Sequence, residues 1–349
     1  MSLSKQQREF YRIFSRHGSG DALVEITPRE VALLAHIAHA DLHRRPASWM
    51  CSAYCALLAT GLYALTPRDI GNLPDISEEE AFHCLEAAKA TDANDLIFLY
   101  LKNLSELYRR RFKFYNIMRV QPFPSPEQIG PRCLLEFGNC SDDLLFTWMA
   151  WRKFMYDVDN RSAQETGYLF EPILASCLGG ESVSHRNSPV KRVDGNGRQT
   201  SEGRQVDCYI RDASEVYELK LRVSIAASGQ GRIDEELSFP YEARVAGLKP
   251  ILVVFDSTPS PLLEKLSAEY TRHGGSVAIG EAAWAKLAER AGKGMEVFIA
   301  KYIKPPIQKM RQWQRVLPAD ILLSASSRGM SISSGTGDSY TIPREDDVR

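Results

Sequence analysis

The spacing of apolar residues divides the chain into a first part with helical periodicity and a second part in which helices alternate with strands. Up to about residue 155, apolar positions recur every three or four residues, and the alternation typical of strands is scarce. This part is therefore predicted to be all-helical, with helices at residues 28–43, 48–62, 78–89, 93–112 and 142–155.

The pattern changes after Arg161. The run 250–256 is almost entirely apolar, which is typical of a strand buried on both faces of a parallel sheet. Helical periodicity on either side of this run suits the crossovers that join parallel strands. The predicted helices are 162–178, 240–246, 261–273 and 281–302, and the predicted strands are 205–210, 215–223, 250–256 and 276–279. This alternation predicts an α/β core with a central mixed sheet flanked by helices.

The first two of these strands form a hairpin whose register follows from their polar faces. Side chains alternate between the two faces of a strand, and a four-residue turn, 211–214, pairs Ile210 with Glu215. The same register places Asp207 opposite Glu218, whereas a slip of one residue would place Asp207 opposite an apolar residue. The sequence therefore predicts two neighbouring carboxylates on one face.

This pair of acids suggests a metal site. Their Cβ atoms would lie about 5 Å apart, and like charges at that distance destabilise a hairpin. A divalent cation bound between them offsets this cost, and hard oxygen ligands favour Mg²⁺ over zinc. Lys220 follows on the same face, where it can orient or help to deprotonate a water, or stabilise charge on a phosphodiester. A role as base requires a lowered lysine pKa.

Composition and charge narrow the class of protein. The net charge is −1, from 43 basic and 44 acidic residues, which excludes a protein that coats nucleic acid through a uniformly basic surface. The seven cysteines form no CxxC pair, which argues against a zinc ribbon and a disulfide framework. We expect a cytoplasmic protein without a signal peptide or a membrane span, because the first residues are polar and the apolar runs are short.

Asp207, ten intervening residues and then Glu218-Leu219-Lys220 resemble the motif of the PD-(D/E)XK nuclease superfamily, in particular type II restriction endonucleases. The proline that leads the family's motif is replaced by Val206. The resemblance covers residues 165–279. It implies one further acid on the helix before the hairpin, for which Glu171 is the best match and Glu165 the second.

The resemblance implies a fold, a substrate and an assembly. The fold is a restriction-endonuclease-like core, residues 159–323, with an all-helical lobe, residues 1–158, that binds DNA, dimerises or does both. The tail, residues 324–349, is rich in Ser and Gly and is expected to be flexible. The reaction is Mg²⁺-dependent hydrolysis of double-stranded DNA. A homodimer would match a short palindromic site by two-fold symmetry.

Candidate DNA contacts lie near the hairpin. Glycines in the loop after the second strand allow close approach of the backbone to DNA, and Gln and Arg side chains can read base edges. The candidates are Arg204, Arg222, Ser228, Gln230 and Arg232. A basic and aromatic run, residues 108–115, either contacts DNA or forms a helix with buried rings and a solvated face.

Other interpretations of the same residues remain open. A nuclease of this fold could instead cut by DNA structure in repair or junction resolution, and an inactive nuclease-like protein could bind DNA without cutting it. A metal-dependent phosphohydrolase of small substrates is a further alternative. His36, His39 and His43 share a helical face and could bind zinc. Ordinary core or surface histidines are favoured, since no fourth ligand is evident.

Overall fold

The computed structural model describes residues 2–18, 23–43, 45–91, 96–221, 230–313, 321–326, 329–334 and 337–344, with side chains for all of these except 230–232 and 311–313. The first part of the chain is helical, apart from a short antiparallel pair of β1 (Arg16–His17) and β2 (Val24–Glu25). The helices are α1 (Lys5–Ser15), α2 (Pro28–His43), α3 (Ser52–Cys55), α4 (Pro67–Gly71), α5 (Glu78–Ala90), α6 (Leu96–Val120), α7 (Pro126–Cys133) and α8 (Asp142–Cys177).

The N-terminal helices agree with the sequence except in one region. The predictions at 28–43 and 78–89 are confirmed by α2 and α5, and α6 is longer than predicted. The helix predicted at 48–62 is wrong, because only the single turn of α3 and a 3₁₀ turn, Leu62–Ala64, form there. The backbone at Cys51 is extended, and its N–H donates to Nε2 of His36 at 3.0 Å. This tertiary contact replaces the helical hydrogen bond.

The helix α8 is longer than either of the two helices predicted in its place. It runs for 36 residues and passes through Pro172 without ending. The predicted boundary between residues 158 and 159 falls inside it. No glycine lies next to this boundary, because Gly167 comes two turns later in the helix. An ion pair between Lys153 and Asp157 spans one turn just before the boundary. The division at this boundary stays a prediction, since one continuous helix runs across it.

The α/β part contains a five-stranded mixed sheet, which confirms the predicted fold class. Its order is β3-β6-β7-β8-β9; β6 is antiparallel to its neighbours, whereas β7, β8 and β9 are parallel. Its elements, with the separate pair β4 and β5, are β3 (Glu181–Val183), β4 (Lys191–Val193), β5 (Gln199–Gly203), β6 (Val206–Ile210), β7 (Glu215–Lys220), α9 (Gln230–Val245), β8 (Lys249–Val254), α10 (Pro261–Arg272), β9 (Ser276–Ile279), α11 (Glu281–Arg290), α12 (Gly292–Phe298) and α13 (Lys304–Trp313).

The hairpin of β6 and β7 has the predicted register. Ile210 pairs with Glu215, and the N–H of Ser214 donates to the carbonyl of Arg211 at 3.0 Å to close the four-residue turn. One detail differs from the prediction. Strict alternation would place Val206 and Cys208 on the same face, but they pack in different apolar cores. The pairing of β6 with β3 shifts register between these two positions, and such a bulge turns side chains to the other face.

Two apolar cores lie on opposite faces of the sheet. One joins Tyr217 and Leu219 to α8 and to the N-terminal helices. The other lies under α9 and α10, where Val216 and Leu252 pack against Phe239. The strand β8 contributes to both, as expected for a strand buried on two sides. The two cores therefore hold the hairpin rigidly between α8 and α9.

The predicted flexible tail instead forms an antiparallel meander in its described parts. Its strands are β10 (Ile321–Ser326), β11 (Gly329–Ser334) and β12 (Ser339–Pro343). Met330 and Ile342 are buried against Phe154 of α8, and the guanidinium of Arg344 lies over the ring of Phe123 at 5.0 Å. A few alternating apolar residues thus anchor a segment whose composition alone suggested disorder.

Within the described ranges, we find no helix with both the length and the apolar character needed to cross a membrane.

Candidate active site

The two predicted acids and the lysine lie in a cleft of about 880 Å³ between α8, the sheet and α9. The C-terminal half of α8 forms one wall of this cleft and α9 forms another. The ionisable side chains that matter for its chemistry are Glu171, Arg204, Asp207, Glu218, Lys220 and Glu236. The structure therefore brings Glu171 to the same cleft as the residues of the hairpin.

Asp207 is buried at the point where the hydrogen-bond ladder between β6 and β7 ends. Its Oδ2 accepts a hydrogen bond from the backbone N–H of Leu219 at 2.9 Å. Ser182 donates to the carbonyl of Asp207 at 2.7 Å, which fixes the strand from its other side. Burial, reinforced by the charges of Glu218 and Glu171, raises the pKa of Asp207 well above its usual value. This carboxylate is therefore held in a position where its charge is poorly compensated.

Lys220 is held between two carboxylates. Its Nζ lies 2.7 Å from Oε1 of Glu218 and 2.7 Å from Oε1 of Glu236. Burial alone would lower the pKa of Lys220, but the charges of Glu218, Glu236 and Asp207 outweigh it, and the pKa is raised. A role as general base requires the opposite shift. In this arrangement Lys220 is a fixed ammonium group, suited to hydrogen bonding and charge stabilisation.

The structure separates the two candidate acids of α8. Glu171 faces the cleft, and burial, followed by the charge of Glu218, raises its pKa. A Cβ atom added at Gly167 would lie 3.2 Å from Oε1 of Glu171, so the missing side chain makes room for this carboxylate. Glu165 lies elsewhere and pairs with Arg110 at 2.9 Å and with Lys113 at 2.7 Å. Glu171 is thus the helix acid that accompanies the hairpin.

The donor set of the cleft fits a hard divalent cation. Glu171, Asp207 and Glu218 supply carboxylate oxygens, the ligands that Mg²⁺ prefers. Burial raises the pKa values of Glu171 and Asp207, and the charges of neighbouring carboxylates raise them further. Among the described residues, no three acidic, histidine or cysteine side chains are already arranged as a ligand set. Glu218 is turned toward Lys220 instead, so its carboxylate would have to divide its contacts between the lysine and a cation.

The candidate DNA contacts are only partly within the described structure. The guanidinium of Arg204 packs against α9, where it donates to the carbonyl of Glu235 at 2.5 Å and lies over the ring of Phe239 at 5.9 Å. It therefore forms part of the cleft wall. Arg222 and Ser228 lie outside the described residues. The backbones of Gln230 and Arg232 are in α9, but their side chains are not among those described.

The other sequence features are mainly internal. In the basic and aromatic run 108–115, Tyr108 donates to Oε1 of Glu30 at 2.8 Å, and Arg109 is buried. These contacts favour the interpretation as a helix that packs inside the lobe. His36 and His39 contact backbone carbonyls at 2.7 and 3.2 Å, and no metal-binding group that includes them is found among the described residues. Both rings are buried, which fits ordinary core histidines.

Glu236 is the residue of the cleft that the sequence did not reveal. It stands in the acidic run Asp234-Glu235-Glu236 of α9, which is typical of a solvated helical face. The structure packs its half-buried carboxyl group against Lys220, and partial burial together with the charge of Glu218 raises its pKa. No motif marks this position, because the contact depends on how α9 packs on the sheet.

Comparisons with known proteins relate the chain to a family and to a characterised enzyme. The family model of the ApaLI-like restriction endonucleases matches residues 65–304, which include Glu171, Asp207, Glu218, Lys220 and Glu236. The type II restriction enzyme ApaLI of Acetobacter pasteurianus is 45% identical over 264 residues, which cover 74% of this chain and 69% of that enzyme. No solved structure matches the chain.

Proposed function

The chain belongs to the ApaLI-like restriction endonuclease family, and from this premise we propose that its cleavage site is the cleft around Asp207, Glu218 and Lys220. The protein is a type II site-specific deoxyribonuclease. The observation that carries the proposal is the end of the β6–β7 ladder, where Asp207 and Glu218 line the same cleft and Lys220 Nζ lies 2.7 Å from Oε1 of Glu218.

In the proposed chemistry Asp207 and Glu218 would hold Mg²⁺, with Glu171 supporting it or its water shell. When bound, this cation would neutralise charge on the scissile phosphate and lower the pKa of a water. The ammonium of Lys220 donates hydrogen bonds to the attacking water or to a phosphate oxygen and stabilises the developing negative charge. Because the charges of Glu218, Glu236 and Asp207 outweigh burial and raise its pKa, Lys220 stays protonated, and it orients and stabilises rather than accepting a proton.

Glu236 has a positioning role in this scheme. Its carboxylate holds Lys220 Nζ from the side of α9, opposite the contact with Glu218. With two acceptors the ammonium has a defined position and still has one N–H free in principle for substrate. Holding the ammonium of Lys220 in place favours the reaction, because the group does not have to be ordered in the transition state.

The substrate and the assembly follow from the family and from symmetry. We expect double-stranded DNA with a short palindromic site and a homodimer whose two clefts act on the two strands. Arg204 borders the cleft, and Arg222, Ser228, Gln230 and Arg232 remain candidates for contacts with bases or backbone. A cytoplasmic location stays a prediction from the sequence.

Digestion of a fully sequenced plasmid with Mg²⁺, followed by end mapping, tests this function. We expect discrete fragments that share one terminal sequence, and we expect Lys220→Ala to reduce their rate of formation by about 10²-fold. Lys265→Ala, which changes an exposed lysine of α10, is the matched control. Ends without a common sequence, or equal rates for Lys220→Ala and the wild type, would contradict the proposal.

A further inference from the structure

A short β-hairpin lies outside the central sheet, on the rim of the cleft. It consists of β4 and β5, which pair antiparallel with each other and lie between β3 and β6 in the chain. Its base reaches the cleft, because Arg192, Glu202 and Gly203 all line it. We call the segment 185–204, which contains this hairpin and the turn before it, the rim arm. The proposed cleavage chemistry leaves this segment without a role, apart from Arg204 as a candidate DNA contact.

The helix α9 holds the rim arm in a fixed position. Oε1 of the buried Glu242 accepts a hydrogen bond from the backbone N–H of Val193 at 3.3 Å, and its Oε2 lies 3.3 Å from Nε of Arg204. One carboxylate of α9 therefore fixes both sides of the hairpin base. The same helix carries Glu236, which pairs with the lysine of the active site. The rim arm and that lysine are thus attached to one element.

The rim arm is basic, although the chain as a whole is not. It has five lysine and arginine side chains against two acids, whereas the net charge of the whole chain is −1. Both acids have partners within the arm: Asp194 accepts hydrogen bonds from two backbone N–H groups of the turn, and Glu202 pairs with Arg192 at 2.9 Å. Arg192 and Arg204 also pair with acids of α9. The remaining positive charge is on Arg186, Lys191 and Arg198.

These three basic side chains have no acidic partner. Arg186 and Arg198 are exposed and Lys191 is half-buried, and among the residues that the structure describes none of them forms an ion pair. Single unpaired charges occur on any protein surface, but two of these have a particular place. Arg186 follows His185, which lines the cleft, and Lys191 pairs with Gly203, which also lines it. The unpaired charges therefore begin at the edge of the cleft.

The rim arm continues this basic edge beyond the cleft wall. From Gly203 to Arg198, at the tip of the hairpin, the chain covers five residues, which is about 16 Å at about 3.3 Å per residue. One strand of DNA has a phosphate about every 3.4 Å along the helix axis, so this length corresponds to about five phosphates. The tip lies against α9, because a Cβ atom added at Gly197 would be 3.5 Å from the hydroxyl of Tyr241. The row of charges is long enough to follow a DNA backbone.

The opposite wall of the cleft has a different character. The described residues with which α8 lines the cleft include no basic side chain, and its polar ones are Asp159, Ser162, Thr166 and Glu171. A duplex whose phosphate enters the cleft would therefore find positive charge for its backbone on the side of the rim arm. Charge complementarity favours the rim arm over α8 as the surface that the backbone follows.

We propose that the rim arm binds the phosphate backbone of double-stranded DNA through Arg186, Lys191 and Arg198, next to the phosphate that is cut. This inference rests on the proposed function, since it takes the cleft as the cleavage site. Phosphate contacts set the position of a duplex and carry no sequence information of their own. Because α9 fixes both the rim arm and the lysine of the active site, a backbone bound to the arm has a defined position relative to the cleft.

The salt dependence of DNA binding tests this inference. The full chain is titrated into a fluorescently labelled duplex of arbitrary sequence, in EDTA and at several KCl concentrations, and the anisotropy gives the dissociation constant. Each phosphate contact contributes about 0.9 to the slope of log K against log salt concentration. We expect Arg186→Ala, Lys191→Ala and Arg198→Ala each to reduce the magnitude of this slope by about 0.9, and the triple variant to reduce it by about 2.7.

Two control variants make the same changes of charge elsewhere. Lys265→Ala removes an exposed lysine of α10, and Arg211→Ala removes an exposed arginine of the β6–β7 turn, at the end of that hairpin away from Asp207. Both should keep the wild-type slope. Arg198→Lys should keep it too, because a phosphate contact needs the charge, whereas a bidentate contact with a base edge depends on the planar guanidinium. All of these changes are at the surface and should leave the circular dichroism spectrum unchanged.

Three results would overturn the inference. The first is a wild-type slope in the triple variant, and the second is an equal loss of slope in the control variants. The third is a plasmid digest in which Lys191→Ala or Arg198→Ala gives fragments with a different terminal sequence from those of the wild type, since the arm would then read bases.

The binding measurement in EDTA is independent of cleavage, so the two proposals fail separately. Discrete fragments from the wild type, together with an unchanged slope in the triple variant, would retain the cleavage site and reject the rim arm. A reduced slope in the triple variant of a chain that cuts no DNA would retain the rim arm and reject the cleavage site.

Discussion

Two clusters of buried charge lie close to α8, and they differ in how their charges balance. The helical cluster, between α6 and α8, contains Glu106 and Glu165 with Arg109, Arg110 and Lys113. The cleft cluster contains Glu171, Asp207, Glu218 and Glu236 with Lys220. The first has more bases than acids. The second has four acids against Lys220 and Arg204, and Arg204 is shared with Glu242 outside the cluster.

The pKa values express this difference. Burial opposes the ionisation of Glu106, but a hydrogen bond with His17 and the charges of Arg109 and Arg110 lower its pKa to about 2. In the cleft cluster, burial raises the pKa of Asp207, Glu171 and Glu236, and the other carboxylates add to this effect. The bases of the helical cluster neutralise its carboxylates, whereas the cleft cluster keeps an excess of negative charge. This excess fits a site that is completed by a bound cation.

The largest expected effect is on cleavage. Glu218→Gln should reduce the cleavage rate by about 10³-fold, equivalent to about 4 kcal/mol, because it removes a proposed metal ligand and one acceptor of Lys220. Glu165→Gln is the matched change in the helical cluster. When folded, this variant should have a cleavage rate within about tenfold of that of the wild type. Single-turnover cleavage of a plasmid at saturating enzyme measures both. Equal losses in the two variants would remove the distinction between the clusters.

The next effect is on folding. Glu165→Gln should lower the free energy of unfolding by about 3 kcal/mol, since it leaves Arg110 and Lys113 without their shared carboxylate. Urea unfolding followed by circular dichroism measures this change. An unchanged free energy of unfolding would mean that the ion pairs of Glu165 do not stabilise the fold.

A smaller effect is expected at Glu236. Glu236→Gln should reduce the cleavage rate by about tenfold and leave the KM for DNA nearly unchanged, because Lys220 keeps Glu218 but loses its restraint from α9. Glu236→Asp, which retains the charge, should recover part of the loss. Steady-state rates over a range of DNA concentrations separate these parameters. A change confined to KM would assign Glu236 to DNA binding instead.

The smallest effect is a gain of stability at Asp207. Without divalent cations, Asp207→Asn should raise the free energy of unfolding at pH 7 by about 1 kcal/mol. The raised pKa of Asp207 means that the native state resists ionisation, so the cost appears as the pH rises through the ordinary carboxyl pKa of about 3.9. The gain should disappear at lower pH, where both states are protonated. Urea unfolding in EDTA, at pH 7 and at a pH below about 3.9, measures the difference between the variant and the wild type. A variant less stable than the wild type at pH 7 would contradict this prediction.

The sequence predicted what depends on neighbouring strands and strong apolar runs. The register of β6 and β7 follows from the polar faces of two short strands and a four-residue turn, and the buried strand β8 follows from its continuous apolar run. Both are local patterns with few alternatives. The convergence of Asp207 and Glu218 on one cleft therefore follows from local sequence patterns.

What the sequence could not predict depends on contacts between distant segments. The continuity of α8 through Pro172 depends on packing along its whole length, and the meander depends on Met330 and Ile342 meeting Phe154. Glu236 joins the cleft because α9 lies across the sheet, although its sequence resembles an exposed face. Such positions carry no periodic or motif signal, so coordinates were needed to find them.

Thermal unfolding with and without Mg²⁺ tests most directly the claim that Asp207 and Glu218 form a cation site. At matched ionic strength, Mg²⁺ at about ten times its dissociation constant should raise the Tm of the wild type by about 2 °C. It should not raise the Tm of Asp207→Asn, whereas Asp212→Asn, at the exposed turn of the same hairpin, should respond like the wild type. Equal shifts in the wild type and in Asp207→Asn, or no shift in either, would contradict the account.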